Sequence, residues 1–450
     1  MADRKPILDN PQATFVNTKF DPNSFCGRKR EVVFQNTLLY QLKVLKDTGR
    51  YDAFKLKWHP SYSDEPDVPP IPNHLFWDSD VAKWIEGACY FLQSRQHAEI
   101  EAAVHELVAM IQSAQQPDGY LNIHFTVVEP TKRFTNLRDL HELYNAGHLI
   151  EAALAHEQLF HTGALLRPLE RYVDLLHAVL GPAPPQLRGY PGHPEIELAL
   201  LRLHKATGSP KALALARFFL DERGRPDGVD GRHFYDAGVQ RDGPVEAIRM
   251  VYVCLLPTEC GEVAGKVSVN VHMYGSATLT VPVGDSAVTV KQESEWPYDG
   301  KIGFEVKAPE GIEVDVKLRI PSWASEWQVS PDLPADLDIV ALARGPIVYC
   351  VEDVDNPWDD DHFKSLIFDP ASKITETLET DPTTNEKYVS LTAHDGVSFL
   401  KTPDHLAMPE ASSTAEAGQP GKTLKFVPYY FRANRGGKGH MRVGLRRKSS

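Results

Sequence analysis

Residues Gln115–His156 decide the fold of this chain and have the sequence QQPDGYLNIHFTVVEPTKRFTNLRDLHELYNAGHLIEAALAH. A turn at Pro117–Gly119 leads through a polar loop into a segment that predicts a helix beginning near Asn136, a favourable N-cap residue. His141 and His148 are seven residues apart, which is close to two helical turns, so both rings are predicted on one side. Histidines among apolar neighbours indicate a polar inner face that is packed inside a larger helical structure.

An internal repeat surrounds this segment. Gly147-His148 recurs 45 residues later as Gly192-His193, and Thr162-Gly163 recurs at the same distance as Thr207-Gly208. A second apolar helical pattern follows each Thr-Gly pair, so one repeat predicts one helical hairpin. Stacked hairpins build either open solenoids or closed α/α toroids. Inward-facing histidines near the hairpin starts favour a toroid with a central pocket.

Helical periodicity also precedes the repeat. The spacing of apolar residues predicts helices over Arg28–Lys46, Asp78–Leu92 and Ala98–Ala114. The segment Tyr51–His74, rich in Pro, Asp and aromatic residues, is predicted to be a long loop, either functional or a simple surface excursion. Asp78 and Asp80 are candidates for ligand contacts at a pocket rim or for helix capping.

The helical pattern stops near Cys254, and from Lys266 the period of the apolar residues changes to two, which predicts antiparallel strands. The expected fold class is therefore multidomain α and β. Residues 1–265 should form a toroid of the (α/α)6 type, interrupted near 254–265, and residues 266–450 one or two small β-sandwich domains. About eight helices are predicted where six closed hairpins need twelve, a shortfall on the order of 90 residues. The toroid is accordingly expected to be incomplete.

Composition and charge exclude several classes of protein. The chain has 450 residues, of which 42% are hydrophobic and 24% charged, as in ordinary globular proteins. Its net charge of −13 argues against a nucleic-acid partner. Neither a signal-peptide pattern nor a membrane-spanning run is found, so a cytoplasmic location without membrane partners is expected. Five scattered cysteines fit reduced thiols better than disulfides.

Motifs spread over nearly the whole chain resemble one known family. The segments are HLFWDSDVAKWIEGACYFL, QQPDGYLN, LRDLHELYNAGHLIEAALAH, GHPEIELAL, RIPSWA, ARGPIVYCVEDVDN and FVPYYFRANR. Together they resemble glycoside hydrolase family 127, which contains β-L-arabinofuranosidases with an (α/α)6 toroid followed by β-sandwich domains. The resemblance implies a small carbohydrate as substrate or ligand.

The same resemblance implies two site residues. The histidine of the family's HELY motif matches His141, and the histidine of its GHPEIEL motif matches His193. Both contact the sugar in the family, so both are predicted to bind substrate here. The histidine of the third hairpin start is absent, because Pro244–Arg249 occupies that region.

The resemblance also implies machinery that this sequence does not match. In the family, a Glu-Thr-Cys segment, a Cys-Cys-Pro segment and a second glutamate supply a zinc site, a cysteine nucleophile and the acid/base. Neither cysteine segment occurs here, so no catalytic residue is assigned and neither zinc nor another cofactor is expected. Cys254, Glu259 and Cys260 in CLLPTEC offer three ligand types, but their spacing fits no compact zinc motif and favours a junction loop.

Two function classes stay open at this point. The first is a family 127 glycoside hydrolase acting on terminal β-L-arabinofuranosides or related plant-derived sugars, with its activity in doubt because the nucleophile, acid/base and zinc-ligand segments are missing. The second is a non-catalytic carbohydrate-binding or structural remnant of that family. Another α/α-toroid enzyme, such as a lyase or epimerase, is a weaker third possibility, because the β-domain motifs count against it.

Overall fold

The computed structural model describes residues 17–69, 71–223, 258–263, 265–320, 339–394, 397–399, 423–432 and 435–448, with the backbone alone for 258–263. The chain divides into two compact units, one of residues 1–292 with 304–316 and one of residues 293–303 with 317–450. Helices precede antiparallel sheets along the chain, which confirms the predicted fold class. Within the described residues, no helix is both long and apolar enough to cross a membrane.

The helices follow one another closely up to residue 222. They are α1 (Phe25–Val32), α2 (Leu38–Asp47), α3 (Trp77–Leu92), α4 (Ala98–Ala114), α5 (His124–Val127), α6 (Glu142–Phe160), α7 (Leu166–Val179), α8 (Ile196–Thr207) and α9 (Pro210–Glu222). A π-helical turn at Val33–Thr37 joins α1 to α2. The long loop contains short 3-10 turns at Ala53–Lys55, Pro60–Ser63 and Asn73–Phe76. The two hairpins of the repeat are therefore α6 with α7 and α8 with α9.

Helix α6 lies at the centre of the helical core, between α3 and α8. Its residues are buried on nearly every side, including Leu149, Ile150 and Ala153, which have no exposed surface. A helix surrounded in this way needs small side chains where neighbouring backbones approach it. The alanines and Gly147 in the α6 sequence meet that need, so α6 is an inner helix of the fold.

The structure corrects the predicted start of α6. The helix begins at Glu142 rather than near Asn136, and His141 precedes it in a left-handed conformation with φ 51° and ψ 23°. Asn136 instead closes a turn, because its Oδ1 accepts a hydrogen bond from the Asp139 amide at 3.0 Å. His141 and His148 are therefore not two residues of one helix, as the spacing had predicted.

The repeat markers also differ in structural position. Gly147-His148 lies inside α6, whereas Gly192-His193 lies in the turn before α8. Thr162-Gly163 and Thr207-Gly208 occupy similar places, since each pair lies where the first helix of a hairpin gives way to the second. The region around Pro244 that was predicted to begin a third hairpin lies outside the described residues.

The strands before residue 320 form two small sheets. They are β1 (Thr18–Phe20), β2 (Thr258–Val263), β3 (Lys266–Val271), β4 (Ala277–Val283), β5 (Ser286–Ser294), β6 (Ile302–Lys307) and β7 (Glu313–Leu318), ordered β1-β4-β5-β6 and β2-β3-β7. Strand β2 was not predicted, because CLLPTEC resembled a junction loop, yet Thr258 pairs with Val271 and Cys260 with Val269. The predicted domain boundary at residue 265 stays a prediction.

The strands after residue 338 form a second pair of sheets. They are β8 (Ile339–Val340), β9 (Ala343–Arg344), β10 (Ile347–Glu352), β11 (Leu366–Phe368), β12 (Lys373–Thr380), β13 (Lys387–His394), β14 (Val397–Phe399), β15 (Leu424–Pro428), β16 (Met441–Arg442) and β17 (Leu445–Arg447). Their orders are β12-β13-β15-β10-β16, with β9 beside β10, and β14-β11-β17-β8. The β11–β17 pair is parallel, and the other described pairs are antiparallel. Tyr349, Leu391 and Phe426 belong to the apolar core of these sheets.

Candidate functional site

The two histidines predicted to bind substrate lie against each other. His141 directly precedes α6, and His193 lies in the turn before α8. Their ring centroids are 4.9 Å apart, with an angle of 25° between the ring planes. His141 is 8% exposed, whereas His193 is exposed to solvent. The structure thus brings both residues to one place, although they belong to different hairpins.

A close backbone contact explains why these two turns meet. The amide of Gly192 donates a hydrogen bond to the Leu137 carbonyl oxygen at 3.3 Å. A Cβ atom at Gly192 would lie only 2.1 Å from the carbonyl oxygen of Arg138, so only glycine permits this approach. Gly192 therefore holds the turn before α8 against the turn that precedes His141.

Glu142 holds the start of α6 in place. Its side chain is fully buried, accepts a hydrogen bond from the Tyr120 hydroxyl, and accepts another from the Phe134 amide at 2.8 Å. Burial raises the pKa of Glu142 to about 7. The left-handed backbone of the neighbouring His141 costs on the order of 1–2 kcal/mol. Such strain persists only where the surroundings fix the conformation, and the Glu142 contacts supply that constraint.

Tyr144 connects the histidines. Its ring centroid lies 5.9 Å from that of His141, 4.5 Å from that of His148 and 5.4 Å from that of His193. Lys83 on α3 donates a hydrogen bond to the Tyr144 hydroxyl at 2.8 Å. We call His141, Tyr144, His148 and His193 the histidine cluster. These four rings form a continuous aromatic and polar surface at the starts of α6 and α8.

Glu195 lies beside His148 of the histidine cluster. His148 Nδ1 is 3.3 Å from Glu195 Oε1, and the two side chains are 15% and 20% exposed. Burial, together with the charge of Lys83, lowers the pKa of His148 to about 3. Burial, together with the charge of Glu86, raises the pKa of Glu195 to about 7. The imidazole is therefore neutral at physiological pH, so the pair is not a conventional ion pair.

A second polar network lies between the same helices. Arg202 on α8 forms an ion pair with the buried Glu151 on α6, and its Nη2 donates to the Tyr90 hydroxyl on α3 at 3.3 Å. The Tyr90 hydroxyl in turn donates to Glu86 at 3.0 Å. These contacts join α3, α6 and α8, so they support the helices that carry the histidine cluster.

Asp78 and Asp80, which the sequence offered as rim contacts or caps, have structural partners. Asp78 is fully buried, and its Oδ1 accepts a hydrogen bond from the Ile123 amide at 2.9 Å. Asp80 forms an ion pair with Arg50 at 2.8 Å. Neither is the N-cap of α3, since that position belongs to Phe76. Phe76 instead packs against His141, with ring centroids 4.7 Å apart.

Comparison with known proteins assigns the family. Residues 20–245 match the β-L-arabinofuranosidase GH127 catalytic domain, residues 268–332 the GH127 middle domain, and residues 325–446 the glycoside hydrolase family 127 C-terminal domain. The chain belongs to glycoside hydrolase family 127. The family resemblance drawn from the sequence motifs is thereby confirmed.

Individual relatives agree with the assignment to family 127. The chain is 38% identical over 155 residues to a non-reducing end β-L-arabinofuranosidase of Bifidobacterium longum, a match that covers 34% of this chain and 24% of that protein. The structure resembles a GH127 β-L-arabinofuranosidase from Geobacillus stearothermophilus T6, with a TM-score of 0.70 and 21% identity, covering 96% of this chain and 100% of that one. A second solved GH127 β-arabinofuranosidase gives a TM-score of 0.71 at 21% identity, with 98% of each chain covered. At these identities the solved structures support the fold.

The zinc ion implied by family 127 does not fit the described side chains. Of the described cysteines, Cys89 is buried in the helical core, Cys350 is buried in β10, and Cys26 is partly buried near β3 and β4. No group of three or more His, Cys, Asp or Glu side chains in the described part of the chain is arranged to hold a metal ion. Cys254 lies outside the described residues, and the side chains of Glu259 and Cys260 do as well.

Sequence reasoning missed Tyr144, Lys83 and Glu195. Tyr144 carried a usable signal, since it lies four residues before His148 and so on the same side of α6. Glu195 lies two residues after His193, inside a motif already singled out, but its contact with His148 depends on tertiary packing. Lys83 carried no signal, because a lysine on an amphipathic helix is usually solvated.

Proposed function

We propose that this chain binds a terminal β-L-arabinofuranosyl group, or a related plant-derived sugar, at the histidine cluster. The observation that carries the proposal is the contact between His141 and His193, whose ring centroids lie 4.9 Å apart at the starts of neighbouring helices. Both histidines match family positions that contact the sugar. The names of the Bifidobacterium and Geobacillus relatives support arabinofuranoside as the sugar class.

The chemistry of the histidine cluster suits a small polyol. Burial and the nearby His193 lower the pKa of His141, so its imidazole is neutral near pH 7. A neutral imidazole offers one donor and one acceptor to sugar hydroxyls. The buried Nδ1 of His141 has no hydrogen-bond partner among the described residues. The rings of Phe76 and Tyr144 add apolar surface for the C–H groups of a sugar.

We propose further that turnover by this chain falls far below that of a complete family member. The sequence has no Glu-Thr-Cys or Cys-Cys-Pro segment to supply the family's nucleophile and zinc ligands. Positioning a sugar supplies neither a nucleophile nor a proton for the leaving group. The alternative is a working glycoside hydrolase in which Cys254, Glu259 and Cys260 rebuild the site, and the match of residues 20–245 to the catalytic domain favours it.

Calorimetric titration with methyl β-L-arabinofuranoside tests the binding proposal. The full chain should show saturable binding, and the double variant His141→Ala/His193→Ala should lose it while keeping the circular dichroism spectrum of the wild type. Methyl α-D-glucopyranoside serves as the control sugar. Wild-type protein that does not bind the arabinofuranoside would reject the proposal. Equal affinity of the wild type and a folded double variant would reject the site.

A further inference from the structure

Glu195 occupies the N-cap position of α8 without acting as a cap. Its backbone angles are φ −97° and ψ −50°, and its side chain makes no capping hydrogen bond. Side chains at this position commonly accept a hydrogen bond from the first helical turn. The Glu195 carboxyl group is instead directed to α6, where Oε1 lies 3.3 Å from His148 Nδ1.

The position of Glu195 is fixed by backbone packing. A Cβ atom at Gly147 would lie 2.9 Å from Glu195 Cγ and 3.0 Å from the backbone nitrogen and Cα of Ile196. The start of α8 is therefore in direct contact with the backbone of α6. Because the two helices meet at this glycine, the Glu195 carboxyl group is held beside His148 of the histidine cluster.

The hydrogen-bonding capacity around Glu195 is only partly used. His148 Nδ1 is buried and has no hydrogen-bond partner of suitable geometry among the described residues, although Glu195 lies within 3.3 Å. His141 is 8% exposed, and its buried Nδ1 likewise has no hydrogen-bond partner among the described residues. Buried polar groups are normally hydrogen-bonded, so unpartnered ones point to a bound molecule or water. Two such groups, His141 Nδ1 and His148 Nδ1, therefore belong to the histidine cluster beside Glu195.

The charges that face Glu195 come from three elements. These charged and titratable groups are Lys83 and Glu86 on α3, His148 on α6, and Glu197 on α8 itself. Burial, Glu86 and Glu197 raise the pKa of Glu195, and Lys83 opposes them, leaving a value of about 7. The carboxyl group thus exchanges between a neutral form and an ionised form. The neutral form both donates and accepts hydrogen bonds, whereas the ionised form only accepts them, as stronger charge-assisted bonds.

We propose that Glu195 binds a hydroxyl group of the sugar at the histidine cluster, and that the contact of the start of α8 with Gly147 holds its carboxyl group in position. This inference rests on the proposed function and adds a third polar contact to those of His141 and His193. The contact strengthens when Glu195 ionises, because sugar hydroxyls then donate to a carboxylate. Neither the family motifs nor the position in the sequence assigns this role to Glu195.

The test compares Glu195→Ala and Glu195→Gln with the wild type by calorimetric titration with methyl β-L-arabinofuranoside at several pH values between 5.5 and 8.5. Glu99→Gln is the control, because Glu99 is an exposed glutamate on α4. We expect Glu195→Ala to weaken binding about three- to tenfold. Glu195→Gln should restore most of the affinity at low pH. The affinity ratio of the wild type to Glu195→Gln should rise as pH increases through about 7.

Each outcome has one meaning. Binding by Glu195→Ala that is as tight as in the wild type overturns the inference, and so does a wild-type to Glu195→Gln ratio that stays constant with pH. In both cases the proposed function stands, since the wild type binds. Wild-type protein that binds no arabinofuranoside rejects the proposed function and the inference with it. The unfolding midpoints of all variants are measured in parallel, so that loss of the fold is recognised.

Discussion

The backbone of Ile196 lies against Gly147 so closely that a Cβ atom at Gly147 would be 3.0 Å from the Ile196 Cα. This contact joins inner helix α6 to the start of α8. Backbone atoms cannot rotate away as a flexible side chain can, so a methyl group at Gly147 must push the two helices apart. The distance between His148 and Glu195 depends on the same contact.

Gly147→Ala should therefore destabilise the helical unit. We expect the free energy of unfolding to fall by about 1–3 kcal/mol, the usual cost of overpacking. Gly87→Ala is the matched control, since Gly87 also lies within a helix but a Cβ there would meet only Leu38 Cδ2 at 4.0 Å. That control should be neutral or up to about 1 kcal/mol more stable. Urea denaturation, followed by the circular dichroism of the helices, measures the stability of both variants. Equal stabilities of Gly147→Ala and Gly87→Ala would contradict the close backbone contact at Gly147.

Under the proposed function, replacing His141 or His193 alone should weaken sugar binding moderately. Losing one hydrogen bond costs about 0.5–1.5 kcal/mol, so His141→Ala or His193→Ala should raise Kd about two- to twelvefold. His105→Ala is the control. The His105 ring packs against Phe160 at the far end of α6, about 27 Å along the helix from its start at Glu142 at 1.5 Å per residue. Calorimetry giving unchanged Kd for both cluster variants would remove these residues from the site.

The sequence motifs indicated the two histidines that the structure brings together, but not the helix start beside them. Asn136 followed by Asp139 resembles an N-terminal capping pattern, and the resemblance to the family marked His141 and His193. In the structure the Asn136 side chain closes a turn, whereas Glu142 secures the helix start through Tyr120 and Phe134. Short capping patterns do not distinguish a helix start from a turn, because the same side-chain hydrogen bonds serve both.

Other parts of the site were not predictable, because they depend on contacts between distant segments. Gly192 looked like a repeat marker equivalent to Gly147, although the two glycines occupy a turn and a helix interior. Each allows a close backbone approach, and the partner of that approach, Arg138 or Ile196, is known only from the folded chain. Strand β2 could not be predicted from the sequence for a related reason, because its pairing with β3 forms only in the folded chain.

Asp78 should make stability depend on pH. Burial raises its folded-state pKa from 3.8 to about 7, so the folded protein holds a proton that the unfolded chain releases. The stabilisation is complete below pH 3.8 and is lost as pH rises through about 7. Asp78→Asn mimics the protonated form, so its stability should lack the pH-dependent contribution of Asp78. Relative to Asp78→Asn, the wild type should lose up to about 1.4 kcal/mol per pH unit within that window.

Urea denaturation of the wild type and Asp78→Asn at pH 5, 6, 7 and 8 measures this difference. Histidines with lowered pKa values, such as His74 and His148, destabilise the fold at acidic pH in both proteins and cancel in the comparison. Parallel stability curves for the two proteins would show that the Asp78 carboxyl group titrates normally. A difference in the free energy of unfolding between the two proteins that grows with pH supports a raised pKa of the buried Asp78 carboxyl group.

Turnover of an arabinofuranoside by this chain should not exceed background. Groups that act as one catalytic unit typically contribute factors of about 10⁴ to 10⁶ in rate. On the proposal that this chain lacks the family's nucleophile and acid/base, it should therefore show only background activity. The assay places this chain beside a family member that has both cysteine segments, on an aryl β-L-arabinofuranoside with zinc and reductant added. The relative should turn the substrate over, and this chain should not. Robust turnover here, abolished by Glu259→Gln or Cys260→Ser, would show that CLLPTEC rebuilds the missing site and that the hydrolase alternative is correct.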